Sequence, residues 1–279
     1  MRVAAIQMRS GLTPQDNIPV LESLVLKAAS QGATYIQTPE MTGAMSQKKL
    51  VFADNLRLQH HDLIVAAASN LAKKCGVTLH IGSTAILRED GKIANRAFVF
   101  GPDGSILATY DKIHMFDVDL PNGESWRESA TYTPGDQAVM VDVGQAKLGL
   151  AICYDLRFAE LFRIYATHGA HILTLPAAFT EQTGQAHWHV LLRARAVETG
   201  SFVVAAAQGG THADGRQTYG HSMIIDPWGK IIAEKTDAEP GVIIADLDMA
   251  MVAATRARIP NLKNRRDIVL RASTPMSAE

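Results

Sequence analysis

Cysteine is scarce: 279 residues carry two, Cys75 and Cys153. That number excludes a disulfide framework and a four-cysteine zinc site, so each thiol needs its own explanation. Charge of one sign is missing too. Lys and Arg total 27 against 28 Asp and Glu, a formal charge of −1, so there is no overall field to hold nucleic acid or an anionic membrane. Long apolar runs are also absent. The strongest, FVVAAA at 202–207 and LGLAIC at 148–153, fall well short of the roughly 18 residues that suggest a membrane span. The first ten residues, MRVAAIQMRS, lack the basic head, apolar stretch and cleavage site of a secretory leader, and no Asn-x-Ser/Thr acceptor occurs. A cytoplasmic protein with reduced thiols is the expectation. Phosphate-binding and nucleophilic-serine motifs (G-x-x-x-x-G-K-[ST], G-x-G-x-x-G, G-x-S-x-G) are likewise lacking.

What is present is 47% hydrophobic residues in short segments that alternate with stretches of helical period. Strands are predicted at 3–8, 35–38, 78–86, 96–100, 106–110, 138–143, 147–152, 172–176, 202–207, 222–225 and 241–246. Helices are predicted at 17–31, 63–74, 158–167 and 186–199. Residues 116–136, rich in Asp, Pro, Gly and Ser, read as one long loop, and such loops are usually functional or disordered. The elements recur in both halves without a break in composition, which favours one α/β domain over residues 1–279 with layered sheets.

Three residues stand where α/β folds place chemistry, at the ends of strands. Cys153 closes an apolar strand and opens a turn; it reads either as a small buried hydrophobe or as a thiol whose local N–H groups and helix dipole favour the thiolate. Glu40, in YIQTPEM, follows a strand stopped by Pro39; it is either a solvated loop acid or a base whose pKa burial would raise. Lys112, in YDKIHMF, is either a surface lysine or a fixed cation for an oxyanion. Cys75, beside Lys73 and Lys74 near a helix end, reads as inert. No histidine has a privileged context: His187 and His189 point to different helical faces and lack the i, i+4 spacing of a zinc pair.

Taken together, TPEM around Glu40, YDKIHMFDVDLP around Lys112 and LAICYDLRFAEL around Cys153 resemble, in order and local sequence, the Glu-Lys-Cys triad of the nitrilase superfamily of carbon–nitrogen hydrolases. The resemblance spans essentially the whole chain, including AAFTEQTGQAHWHVLLRARAVET, YGHSMIIDPWGKI and IPNLKNRRD. It implies a four-layer α-β-β-α sandwich, subunits paired into α-β-β-α-α-β-β-α homodimers, and no metal or organic cofactor. It also implies that Cys153 forms a thioester, that Glu40 is the general base, and that Lys112 with the Tyr154 N–H holds the oxyanion. Glu128, in RES, stands where the family has a second glutamate. The flanks look closest to the Nit branch, particularly the deaminated glutathione amidases, which implies hydrolysis of deaminated glutathione to 2-oxoglutarate and cysteinylglycine. An ω-amidase acting on 2-oxoglutaramate is the near alternative, with N-carbamoyl amino acids, aliphatic amides and nitriles behind it.

Such substrates carry carboxylates. Arg157, four residues beyond Cys153, matches a family arginine that receives one, and Thr183 matches a threonine that hydrogen-bonds the same substrate. One departure is plain: the family commonly reads HWE where this chain has His187-Trp188-His189. A non-enzymatic alternative is an interaction module built on Arg256, Arg258, Lys263, Arg265, Arg266 and Arg271; neutrality of the chain and the lack of interleaved aromatics argue against it.

Overall fold

The computed structural model describes residues 1–46, 49–121 and 123–271. In chain order the strands are β1 (Arg2–Gln7), β2 (Tyr35–Gln37), β3 (Thr78–Leu87), β4 (Ile93–Phe100), β5 (Ile106–Asp111), β6 (Asp117–Asp119), β7 (Ser125–Arg127), β8 (Met140–Val143), β9 (Ala146–Leu150), β10 (Ile172–Thr174), β11 (Phe202–Ala205), β12 (Gly209–Thr211), β13 (Gln217–Tyr219), β14 (Met223–Ile225), β15 (Ile231–Glu234) and β16 (Gly241–Asp246). The helices are α1 (Pro14–Ser30), α2 (Lys49–Asn55), α3 (Leu63–Cys75), α4 (Ala159–Thr167), α5 (Glu181–Thr199) and α6 (Ala250–Arg258).

Two six-stranded sheets form the centre, in the orders β16-β1-β2-β3-β4-β5 and β15-β14-β11-β10-β9-β8. Each repeats one plan. Three parallel strands, β1-β2-β3 in one sheet and β9-β10-β11 in the other, are flanked by antiparallel partners.

Side-chain alternation assigns the faces. On β1, Ala4 and Ile6 pack with Leu21 and Val25 of α1 and Ile64 and Ala68 of α3. Val3 and Ala5, one residue out of phase, join Ala97, Val99, Leu148 and Val203 in the layer between the sheets. Helices α4 and α5 contact each other, and α5 packs on β11. The result is the expected α-β-β-α order. The layer between the sheets also holds polar groups that bind each other: the Tyr35 hydroxyl meets Gln37 Oε1 and His80 Nδ1, and Gln37 Nε2 donates across to the carbonyl of Val204 at 3.1 Å. Burial holds His80 neutral, its pKa pushed down to about 3.

The structure departs from the sequence expectations mainly at polar segments. Helix α1 begins at Pro14 rather than residue 17 because Thr13 and Asp16 form a capping box ahead of it. Helix α5 begins at Glu181 rather than 186 because Thr180 caps the Thr183 N–H. Residues 116–136 are not one loop: β6 and β7 pair within them, and a 3₁₀ turn follows at Glu128–Ala130. Apolar alternation did not mark that hairpin because its strands are mostly polar and are tied by a diagonal ion pair, with Arg127 donating to both oxygens of Asp119 at 2.9 Å. Helices α2 and α6, hairpin β12–β13 and strand β15 lacked a clear apolar period and were unexpected.

Candidate active site

Strand ends from both sheets meet at one place. Glu40 lies beyond β2, Lys112 extends β5, and Cys153 lies beyond β9. All three are nearly sealed from solvent, at 4%, 2% and 6% exposure. Gly82 on β3 explains part of the convergence: a Cβ there would lie 2.2 Å from the Thr38 carbonyl oxygen and 2.4 Å from Pro176 Cβ, so only glycine lets the segment before Glu40 approach Pro176, whose carbonyl accepts from the Cys153 N–H.

Cys153 itself has φ of +49°, in the left-handed region that non-glycine residues seldom adopt. It opens a 3₁₀ turn, Cys153–Arg157. The Cys153 N–H donates to the Pro176 carbonyl at 2.9 Å, and the Asp155 N–H donates to the Ile152 carbonyl at 3.0 Å. The N–H between them, of Tyr154, has no acceptor among the described residues. Buried Asp155 fixes the turn. Its carboxylate accepts from the Ile152 N–H at 2.8 Å, the Tyr110 hydroxyl at 2.7 Å and the His114 N–H at 3.0 Å, which ties the thiol turn to the strand that carries Lys112.

Lys112 sits between two carboxylates. Its Nζ donates to Glu40 Oε1 at 2.9 Å and to Glu128 Oε1 and Oε2 at 3.0 and 2.8 Å. The remaining lone pairs of the acids are also occupied. Glu40 Oε2 accepts from the Ala178 N–H at 2.9 Å, and Glu128 Oε2 accepts from the Phe116 N–H at 2.7 Å. Asn95 Nδ2 donates to Glu40 at 2.9 Å and to Glu128 at 3.2 Å. Gln208 Nε2 holds the Glu40 carbonyl at 2.9 Å.

These contacts set the resting charges. Burial alone would push the Glu40 carboxyl up, but the Lys112 cation and hydrogen bonds from Cys153, Lys112 and Asn95 outweigh it and hold it below the ordinary glutamate value. Burial would likewise lower Lys112, yet Glu128, Glu40 and Cys153 hold its ammonium charged. For Cys153, burial first and then the Glu40 charge push the thiol well above its usual range. Both pKa expectations are therefore corrected: Glu40 goes down because it is paired, and Cys153 rests as a neutral thiol because burial, and after it the Glu40 charge, outweigh the Lys112 cation and the Ala178 N–H. The resting array is Glu40⁻, Lys112⁺, Glu128⁻ and Cys153–SH.

These four residues line one cavity of about 310 Å³, near the small end of ligand pockets. Its lining also includes Phe52, Phe116, Trp126, Tyr132, Arg127 and Arg216. Arg157 and Thr183 do not line it. Both terminal nitrogens of Arg157 lie 3.3 Å from His187 Nδ1, and its guanidinium packs on the rings of Tyr154 and Phe179. The Thr183 hydroxyl is 2.8 Å from that of Thr180 at the start of α5. His189 lies elsewhere: with His221 it binds one oxygen of Glu234, at 2.8 and 3.1 Å. Those three are the one group among the described residues with metal-ligand spacing, their ligand atoms within 4.8 Å, and none of them lines the cavity.

Asn95, Tyr132 and Arg216 escaped the sequence reading. Asn95 had a usable signal, since in IANRAFVF it falls in phase with Ala97 and Val99 on a buried strand face, where an amide needs partners. The basic C-terminal cluster is partly internal: Arg256 donates to the carbonyls of Thr199 and Ala170 and to the Ser201 hydroxyl.

Comparison with known proteins agrees with this geometry. The carbon-nitrogen hydrolase family matches residues 2–257. The chain is 37% identical over 272 residues to the omega-amidase NIT2 of Danio rerio, with 95% of each chain covered. It is 38% identical over 270 residues to a deaminated glutathione amidase of Synechocystis, covering 94% of this chain and 97% of that one. The crystal structure of the C. elegans NitFhit protein superposes with a TM-score of 0.86 at 33% identity, covering 95% of this chain and 65% of the longer NitFhit chain. A strand-end glutamate, lysine and cysteine in one cavity of an α-β-β-α sandwich agree with the match over residues 2–257, and this chain belongs to the carbon-nitrogen hydrolase family as an amide-hydrolysing enzyme.

Proposed function

We propose that Cys153 is the nucleophile of an amidase acting on small amides that carry a carboxylate, and that deaminated glutathione is the substrate, giving 2-oxoglutarate and cysteinylglycine. The observation that carries the chemistry is the buried array in which Glu40 accepts from Lys112 at 2.9 Å and lines one cavity with Cys153. Glu40 takes the Sγ proton as sulfur attacks the amide carbon. The oxyanion that forms is held by the Tyr154 N–H and the Lys112 cation. Protonated Glu40 then gives its proton to the departing nitrogen, the C–N bond breaks and a thioester remains. Glu40 deprotonates a water that attacks the thioester carbon, the acid leaves and the thiol is restored. Glu128 orients Lys112, and Asn95 orients both carboxylates. Hydrolysis of 2-oxoglutaramate, with ammonia as the leaving group, is the second reading; the similarity to an omega-amidase favours it.

The test is a panel of kcat/KM values for deaminated glutathione, 2-oxoglutaramate, an N-carbamoyl amino acid, an aliphatic amide and a nitrile, since ratios of kcat/KM measure specificity. Highest kcat/KM for deaminated glutathione is expected; a value below those for the neutral amide and the nitrile contradicts the reading. We propose further that residues 1–279 act as one domain in the cytoplasm, where Cys75 and Cys153 stay free thiols. No helix among the described residues is long and apolar enough to cross a membrane. Subunits would pair as homodimers through the α4–α5 layer, which exposes Val190 and Val197; a monomeric mass in sedimentation would contradict the pairing.

A further inference from the structure

Among the described residues three cations line the cavity, and two are committed. Lys112 is bonded to Glu40 and Glu128, and Arg127 is bonded to Asp119. Arg216 is different. No carboxylate pairs with its guanidinium among the described residues, and its Nε is buried without a hydrogen-bond partner, a costly arrangement for a charged donor. Its surroundings hold it in place. The guanidinium lies over the Trp126 ring, 4.5 Å from the centroid, which fixes the plane of the fork. The backbone is set by the β12–β13 turn: the Arg216 N–H donates to Asp214 Oδ1 at 3.0 Å and its carbonyl accepts from the His212 N–H at 2.8 Å.

The floor of the cavity holds two carboxylates against one ammonium, so it repels a second anion. A carboxylate-bearing amide therefore needs a positive group at the opposite end to enter with its amide toward Cys153 and its carboxylate away from Glu40. We propose that Arg216 is that group: the specificity-determining residue that receives a substrate carboxylate through its terminal guanidinium nitrogens, with Trp126 as the platform that aims it. This rests on the amidase reading and sharpens it. It assigns carboxylate recognition to Arg216 on the hairpin, in place of Arg157, whose guanidinium is stacked outside the cavity wall.

The experiment compares wild type, Arg216→Met, Arg216→Lys and Arg157→Met on deaminated glutathione, 2-oxoglutaramate and propionamide. Arg216→Met is expected to lower kcat/KM for the carboxylate substrates by about thirtyfold, mostly through KM, and to change propionamide by less than about twofold. Arg216→Lys restores part of the loss because it keeps the charge without the fork. Loss on both anionic substrates places the contacted carboxylate on the acyl side. Loss on deaminated glutathione alone places it on the departing dipeptide. Unchanged kinetics, equal loss on propionamide, or the larger anion-specific loss in Arg157→Met overturns the assignment. A measurement without turnover separates this from the amidase reading: calorimetric binding of glutarate to the Cys153→Ala protein, with and without Arg216→Met. Weakening by about thirtyfold supports Arg216 whatever the panel shows; absent or unchanged binding overturns it.

Discussion

The floor and the rim of the cavity are built on opposite principles. On the floor, Glu40, Lys112 and Cys153 are held by ends of the central strands, Glu128 reaches in from the turn after β7, every charge has a partner, and Asp155, Asn95 and Gln208 fix their positions. On the rim, Phe52, Trp126, Arg127 and Arg216 come from a short helix and two small hairpins, and one cation has no carboxylate partner among the described residues. The contrast separates two tasks. Bond breaking needs groups held in fixed geometry on rigid elements, whereas recognition is carried by segments that can vary without disturbing the sheets.

The comparison can be broken most sharply at its lowest point. Cys153→Ala is expected to reduce kcat by at least about 10⁴-fold while thermal melting stays close to that of wild type, because alanine keeps the turn and removes the nucleophile. Residual activity in the purified variant within tenfold of wild type, roughly, would move the chemistry off the floor.

Lys112→Met is the largest expected effect on stability. It leaves Glu40 and Glu128 buried together without their cation and should cost about 3–5 kcal/mol in denaturant unfolding, besides abolishing activity. A loss under about 1 kcal/mol would mean that the floor is wetter than its burial implies.

A pH series sharpens the same point more gently. The folded-state pKa of Glu40 is depressed, so its contribution to stability is present above the ordinary glutamate value of 4.5 and fades as pH falls through the lower folded value. Between about pH 5 and about pH 3, wild type should therefore lose more melting temperature than Glu40→Gln. On the same grounds the acid limb of kcat/KM should lie below the ordinary carboxylate range, with an apparent pKa that belongs to the coupled Glu40–Lys112–Cys153 set. Parallel melting curves for the two proteins would contradict this pairing.

Cys75→Ser should change neither activity nor stability by more than about 0.5 kcal/mol, since the thiol is partly exposed at the end of α3 and far in the chain from the strand ends that form the floor.

The apolar runs before Glu40, Lys112 and Cys153 announce where the ladder stops, but they left each residue open between a structural and a chemical role; the resemblance to the carbon–nitrogen hydrolases joined the three and added Glu128. Their protonation states were not legible, because pairing distances decide whether burial or a neighbouring charge dominates. The rim was largely hidden. Arg157 was read as a carboxylate receptor because it matches a family arginine, but a matching position does not fix a long side chain's direction, and this one turns toward His187 and Phe179. Arg216 sits in a polar turn of a hairpin whose three-residue strands have no apolar alternation, and it reaches Trp126 from 90 residues away in the chain. His189 replaces a commonly found glutamate and pairs with Glu234 and His221, a contact that depends on β15, which was not foreseen.

The central claim is that an acyl group is carried on the thiol that Glu40 deprotonates. It is tested most directly by rapid acid quench of enzyme with deaminated glutathione, followed by intact-mass measurement and peptide mapping. The account predicts a thioester of the 2-oxoglutaryl group on Cys153 and none on Cys75. Steady turnover without an adduct on Cys153, or an adduct on any other residue, would contradict it.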